Sequence, residues 1–394
     1  MLTFALMKNK PKVLPSIGIV GGGQLGRMFL QNSYRYGNKV VILESSIDSP
    51  SGQLTHHFVK GKLTDAEAIR KLSKECDVIT YEIEHINADV LLEIEKEGKT
   101  VIPSPRILKV IQDKGLQKEF YAENKIPTSP FKIVDHPSEW VEAMKKMGGG
   151  KFAVKSRTGG YDGKGVFLTD YDSFLRQPEI APFKDSVVIE KFVDCKKELS
   201  VIIAVGQDGE VVSYPAVEMA FDPISNLVTY LFTPADISME LEHKARDLAV
   251  QSVKAFGGAG LFAVELFLDH QDQLFVNEIA PRPHNSGHHT IEGAYTSQFD
   301  QLFRILSGLP LGDSTFREPA VMINLVGPVG GSGTYALEGM EQVLEMSGVY
   351  IHLYGKGVSK PDRKLGHVTI LGKTIEEAKK KADQVKVILK VALL

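Results

Sequence analysis

Two glutamates, Glu265 and Glu278, carry the most specific chemical signal in the chain. They lie in Gly260–His289, GLFAVELFLDHQDQLFVNEIAPRPHNSGHH, where apolar runs Leu261–Leu268 and Leu274–Ala280 flank the polar turn His270–Gln273. That pattern predicts an antiparallel hairpin. A ladder symmetric about the turn sets Glu265 directly opposite Glu278, on one face with Ala263, Phe267 and Val276. Like charges opposed across two strands are destabilising, and burying them costs more still. A divalent cation removes the conflict, and Mg²⁺ prefers one or two carboxylates together with substrate phosphates. A register slip of one residue would instead send both acids to solvent. After the second strand come Arg282, His284, Asn285, Ser286, His288 and His289, a polar group that marks a site rather than a fold-closing turn.

Two basic loops extend the theme. The strand-like Phe152–Lys155 ends in lysine and runs into SRTGGYDGKG, with Arg157, Asp162 and Lys164 set among four glycines. Backbone N–H groups and ammonium charges in such a loop can wrap a polyphosphate, although the G-K-[ST] of a Walker loop is missing. A hairpin tip rich in turn residues would read the same way. Further on, YGKGVSKPDRKLGH holds Lys356, Lys360, Arg363 and Lys364, which suit a phosphate clamp or a solvated basic turn. In VIEKFVDCKKELS, the backbone after the strand suits an adenine edge and Glu190 or Glu198 can accept from a donor, although ordinary strand-end acids would read the same way.

These groups need a scaffold of alternating strands and helices. Residues Ile17–Gly22 form a strand entering GGGQLG, then a helix over Gln24–Tyr36 and a strand over Lys39–Glu44. Gly21, Gly23 and Gly26 have G-x-G-x-x-G spacing with Glu44 beyond, which also fits a nicotinamide dinucleotide site. Helix Asp65–Glu75, strand Asp77–Glu82, helix Asn87–Lys96 and strand Thr100–Pro103 continue the alternation, with Glu82 and Glu84 at a strand's ligand-facing end, or as solvated loop acids, Glu84 more readily than Glu82. Ser104-Pro105 starts a helix expected to reach about Asn124. Leu199–Gly206 and Glu210–Glu218 form a hairpin about Asp208-Gly209, and Met239–Phe256 and Ser297–Ser307 are helices. The last segment holds strands Val321–Val326, Val349–Tyr354 and His367–Leu371, a helix near Gly339–Ser347, and a closing helix from Thr374 to about Ile388.

Composition bounds the partners. The chain has 394 residues, 43% apolar and 24% charged, suiting two or three soluble domains. Its net charge of −3 argues against a general nucleic-acid or membrane surface. Cys76 and Cys195 are too few for a disulfide framework and lack metal-ligand spacing, which fits inert thiols in the cytoplasm. No apolar run approaches the roughly 20 residues of a membrane span. LTFAL precedes KNKPK, the reverse of a secretory signal, so Met1–Pro15 reads as a loose extension with Met7 as an alternative start.

Taken together, IGIVGGGQLGRM, YEIEHI, VKSRTGGYDGKGV, FAVELF, NEIAPRPHNSGHHT and GKGVSKPDRKLGH resemble the ATP-grasp enzymes that make 5-(carboxyamino)imidazole ribonucleotide in purine biosynthesis. The resemblance runs from Ile17 to the C-terminus. It implies an α/β (α+β overall) architecture: an extension over 1–15, a Rossmann-like pre-ATP-grasp domain over 16–113, an ATP-grasp domain over 114–313 with a lid at about 126–190, and a small β-rich C-terminal domain over 314–394. It implies ATP and Mg²⁺, with Mn²⁺ as a substitute, bicarbonate and 5-aminoimidazole ribonucleotide as substrates, and a cytoplasmic homodimer.

By residue, the resemblance makes Glu265 and Glu278 the metal ligands. It gives ATP phosphates to Lys114, Lys155 and the loop Gly160, Tyr161, Asp162, Gly163, Lys164, Gly165 and Val166. Adenine goes to Glu190, Lys191, Phe192 and Val193, and ribose to Glu198, while Asn277 acts beside Glu278. Gln24, Glu82, Tyr161, Asn285, Lys356, Arg363 and Lys364 would hold the ribonucleotide, and Asp162, Arg282 and His284 would carry the carboxylation. Two positions depart from the family pattern: Lys114 where many relatives have arginine, and Phe221 where an ATP-contacting histidine is common. A formate-using glycinamide ribonucleotide transformylase, a nicotinamide oxidoreductase and a non-catalytic nucleotide sensor are the rival readings.

Overall fold

The computed structural model describes residues 13–160, 165–221 and 228–394. Its first unit is a five-stranded parallel sheet ordered Phe58–Lys60, Val40–Glu44, Ile17–Val20, Val78–Tyr81, Thr100–Val101. The chain reverses direction across the sheet between Ile17–Val20 and Val78–Tyr81, so the loops after these two strands meet in one crevice. These loops contain GGGQLG and YEIEHI.

The expected single helix from Ser104 to Asn124 is broken. Pro105–Gln112 ends at Asp113, which is extended (φ −120°, ψ 109°), and Lys114–Glu123 begins a new helix. The Asp113 carboxylate causes the break: it accepts from the Gly115 and Leu116 amides and forms a two-bond pair with Arg157 at 2.9 and 2.6 Å. Lys114 thereby lands on a first turn, with its amide donating to the Arg157 carbonyl at 2.8 Å.

A separate antiparallel sheet is ordered Phe131–Val134, Val187–Lys191, Lys151–Ser156, Val166–Asp170. Trp140, fully buried on helix Trp140–Lys146, stacks on Phe174 of helix Tyr171–Arg176 at 5.2 Å between ring centres and closes this small core. Val166 is the first residue of a strand there, not part of the preceding loop.

The third sheet has nine strands and runs Leu274–Ala280, Gly260–Asp269, Cys195–Val205, Val217–Phe221, Val228–Thr233, Ala320–Val326, Lys364–Leu371, Val349–Leu353, with Val211–Ser213 also on Cys195–Val205. Val228–Thr233 pairs with Ala320–Val326, so the last segment extends the central sheet across the boundary expected near 314. Helix Met239–Phe256 covers one face, setting Leu241, Ala245, Leu248 and Val253 against Phe262, Val264 and Leu266. Each buried Leu or Val contributes about 1.5–3 kcal/mol. After the closing helix Ile375–Ile388, an unanticipated strand Lys390–Leu393 pairs with Tyr335–Glu338.

Candidate active site

The hairpin turn is one residue longer than its polar segment suggests. The Asp269 amide donates to the Gln273 carbonyl at 3.0 Å, Asp272 takes a left-handed φ of 57°, and Leu268 pairs with Leu274. In an unbroken ladder from that start, Glu265 would face Asn277, and Glu278 would turn to the opposite face. A bulge prevents this: Leu266 pairs with Val276, and Glu265 then pairs with Glu278, leaving Asn277 as the extra residue. Val276 consequently points away from the acids, into the apolar core with Leu266 and Val264, which corrects its expected place on their face.

The bulge turns Asn277 and Glu278 together toward two lysines. Lys114 Nζ lies 2.9 Å from Glu278 Oε2, and Lys155 Nζ donates to Asn277 Oδ1 at 3.0 Å. Asn277 Nδ2 reaches Glu265 Oε2 at 3.4 Å. Lys114 holds the Glu278 carboxyl well below the usual range, whereas burial and the Glu278 charge push Glu265 up. The pair thus resists holding two negative charges without a further cation. Its donor set fits Mg²⁺: two carboxylates, leaving positions for phosphate and water. Among the described residues no cluster of three or more His, Cys, Asp or Glu forms a self-sufficient metal cage.

Lys155 also lies 2.9 Å from Glu190 Oε1. Glu190 is only 2% exposed, and its other oxygen meets Lys118 Nζ at 2.8 Å and the Ser129 hydroxyl at 2.5 Å. Its carboxylate is therefore committed to the protein interior, where it holds Lys155. Lys118 was missed by sequence reasoning because a lone helical lysine gives no signal of burial. Lys191 caps the Gly149 carbonyl, and its amide donates to the Pro130 carbonyl at 2.8 Å. Exposed Phe192 and half-buried Val193 follow in the link to Cys195–Val205. Glu198 and Ser200 share the sheet face of Glu265, and burial raises Glu198 to about 7. Gly160 and Gly165 flank Tyr161, Asp162, Gly163 and Lys164, which lie outside the described residues, as does the Phe221 side chain.

His284 Nε2 stands 3.5 Å from Glu265 Oε1. Ser286 meets His284 Nδ1 with its hydroxyl at 2.8 Å and its amide at 3.3 Å; accepting from that amide assigns the proton of a neutral ring to Nε2, toward the acids. Gln298 holds the same residue from behind, accepting from its amide and donating to its carbonyl, each at 2.9 Å. Arg282 Nη2 pairs with Glu84 at 3.0 Å, giving the second YEIEHI acid a partner. Asn285 is 9% exposed and its Oδ1 has no protein partner among the described residues. His288 and His289, expected in the polar group, are fully buried and kept neutral by burial, with Gln298 on His288 at 3.0 Å. They belong to the core.

The crevice of the first sheet opens on the same region. Glu82 accepts from the Gly23 amide and, at 2.5 Å, from the Gly26 amide, while Glu44 accepts from the Gly22 amide at 3.0 Å. Carboxylates thus occupy the N–H groups that a dinucleotide pyrophosphate would need, which removes the basis of the nicotinamide reading. A Cβ at Gly21 would come within 2.6 Å of Glu82 Cγ, and its φ of 110° also calls for glycine. From the last segment, Lys356 Nζ donates to Gln24 Oε1 and to the Lys364 carbonyl, both at 2.6 Å. Arg363 Nη1 donates to the Val358 carbonyl at 2.7 Å, within its own loop. Gln24 and Lys356 thus meet from opposite ends of the chain.

Residues 14–112 match the ribonucleotide synthetase preATP-grasp domain, 119–299 the ATP-grasp domain, and 320–381 the phosphoribosylaminoimidazole carboxylase C-terminal domain. The crystal structure of N5-carboxyaminoimidazole ribonucleotide synthetase from Thermotoga maritima is 38% identical, with a TM-score of 0.88, and the match covers 97% of this chain and 100% of that one. The chain belongs to the N5-carboxyaminoimidazole ribonucleotide synthase family. Another family structure, from Aspergillus clavatus, is a complex with ADP and 5-aminoimidazole ribonucleotide; it is 33% identical, with a TM-score of 0.86 over 95% of this chain and 98% of that one. Phosphoribosylaminoimidazole carboxylase of Ogataea methanolica is 37% identical over 93% of this chain and 68% of its own length. The chain spans about two thirds of the length of the fungal and plant carboxylases it matches, between 64% and 68%. The family architecture of preATP-grasp, ATP-grasp and C-terminal domains is the one expected from sequence.

Proposed function

We infer that the protein catalyses ATP-dependent carboxylation of 5-aminoimidazole ribonucleotide with bicarbonate, giving 5-(carboxyamino)imidazole ribonucleotide, ADP and phosphate. The observation that carries this reading is the opposed Glu265–Glu278 pair, with Lys114, Lys155 and Asn277 beside it, in a chain of this family. Glu265 and Glu278 would hold Mg²⁺, which when bound offsets charge on the transferring phosphoryl group. Lys155 and Lys114 attract the nucleotide phosphates, a role the glycine-rich segment 160–165 would share. Glu198 accepts from ribose hydroxyls, and the backbone of Lys191–Val193 borders adenine.

In the first step a bicarbonate oxygen attacks the γ-phosphorus, ADP leaves, and carboxyphosphate forms. The exocyclic amine of the ribonucleotide then bonds to the carboxyl carbon, phosphate departs, and the amine loses a proton. Arg282, steadied by Glu84, stabilises the carboxylate oxygens. His284, with its proton assigned to Nε2, serves as a donor; Asp162, or His284 in its other tautomer, takes the amine proton. Gln24, Glu82, Tyr161, Asn285, Lys356, Arg363 and Lys364 border the ribonucleotide. Excluding water keeps carboxyphosphate from hydrolysis. No helix among the described residues is long and apolar enough to cross a membrane; the reading extends to a cytoplasmic homodimer.

The test is ADP release from MgATP. Release that requires both bicarbonate and 5-aminoimidazole ribonucleotide supports the assignment. Release triggered by formate and glycinamide ribonucleotide, or no turnover with either pair, contradicts it.

A further inference from the structure

Lys118 is one of the largest fully buried side chains in the protein, and it lies behind the site rather than in it. An ammonium has three protons to place. Lys118 places them on Thr128 Oγ1 at 2.6 Å, Ser129 Oγ at 3.3 Å and Glu190 Oε2 at 2.8 Å. The Thr128 hydroxyl in turn donates a hydrogen bond to the Val276 carbonyl at 2.7 Å, anchoring the cluster to the strand that carries Asn277 and Glu278. On the other side of the same carboxylate, Lys155 sits 2.9 Å from Glu190 Oε1 and 3.0 Å from Asn277 Oδ1. Its side chain is 12% exposed, against 2% for Lys118.

Charge counting gives the arrangement a purpose. Glu190 alone would cancel Lys155, and a neutral pair would attract a triphosphate weakly. Burial draws Lys118 down to about 8, which still leaves it charged at neutral pH. One anion is then shared by two cations, Glu278 is matched by Lys114, and the unit keeps one positive charge whose open end is Lys155. We propose that Lys118 is a positioning residue for nucleotide binding: it neutralises Glu190 from the buried side, so that Lys155 meets the phosphates as an uncompensated cation. The idea rests on reading Lys155 as a phosphate ligand.

Isothermal titration of the full-length protein with MgADP and with adenosine separates this role from a merely structural one. For Lys118→Met the expected result is roughly a tenfold loss of ADP affinity with adenosine affinity within twofold of the parent, because one unit charge acts on phosphate and not on the nucleoside. The double variant Lys118→Met/Glu190→Gln removes both partner charges and restores most of the ADP affinity. Equal losses for ADP and adenosine, unchanged ADP affinity, or no recovery in the double variant would each overturn the proposal. Should Lys118→Met not fold, Lys118→Gln carries the same comparison, since it keeps a donor without the charge. If the parent binds adenosine and MgADP equally well and Lys155→Met changes neither, the phosphate-ligand reading itself fails.

Discussion

Glutamine in place of Glu198 should stabilise the nucleotide-free protein, and only above mildly acidic pH. Glu198 is half-buried between Phe267 and Met219 on the sheet face of Glu265, and burial raises its carboxyl from an ordinary 4.5 to about 7, with Lys155 opposing part of the rise. Between these values the folded state keeps a proton that the unfolded chain has released. The stabilisation from this group is therefore complete below pH 4.5 and lost as pH climbs to about 7. The interval from 4.5 to about 7 corresponds to about 3 kcal/mol as an upper bound, and partial solvation reduces it to roughly 1–2 kcal/mol. Glutamine cannot ionise, so Glu198→Gln should match the parent near pH 4.5 and exceed it by that amount at pH 8. Urea unfolding at both pH values, without nucleotide, measures the difference. A variant equally displaced at both, or less stable at pH 8, would refute burial as the cause. The same substitution should weaken ATP binding, because an amide is a poorer acceptor for ribose hydroxyls than a carboxylate.

Three further outcomes follow from the geometry. Arg282→Ala should lower ribonucleotide carboxylation by about 10²–10³-fold while ADP formation persists, and the ratio of ADP formed to ribonucleotide consumed reads the uncoupling; product formation intact at saturating substrate removes Arg282 from the reaction. Asn277→Ala deprives Lys155 of its 3.0 Å acceptor and should raise KM for ATP by roughly tenfold, with unfolding stability within about 1 kcal/mol of the parent. Trp140→Ala empties the core closed by Phe174 and should cost about 3–5 kcal/mol in the subdomain spanning Phe131–Lys191, seen as early proteolysis there; uniform protection would contradict it.

Most of the scaffold was legible because its local signals agree with its packing. The alternating apolar runs of the first domain became the parallel sheet, and helix Met239–Phe256 has the bounds its apolar spacing implies. The break at Asp113 was not legible, since it depends on Arg157, which lies far away in sequence. The opposition of Glu265 to Glu278 came out as expected through two compensating departures: a longer turn shifts the ladder by one residue, and the Asn277 bulge shifts it back. Val276 exposes the difference by pointing the other way. Lys118 and Ser129 were invisible because burial of a charge is decided by partners, not by the residue's own neighbours in the chain. His288 and His289 misled for the same reason: polar types in a polar run became core once Gln298 and apolar neighbours enclosed them.

The most direct measurement is a crystal structure of the protein with MnADP, using the anomalous signal of manganese to locate the metal. The account predicts one peak within about 2.5 Å of both the Glu265 and Glu278 carboxylates and of a nucleotide phosphate oxygen, with Lys114 displaced from Glu278. Nucleotide bound with the metal elsewhere, or with Lys114 still on Glu278 and no metal between the two acids, would contradict it.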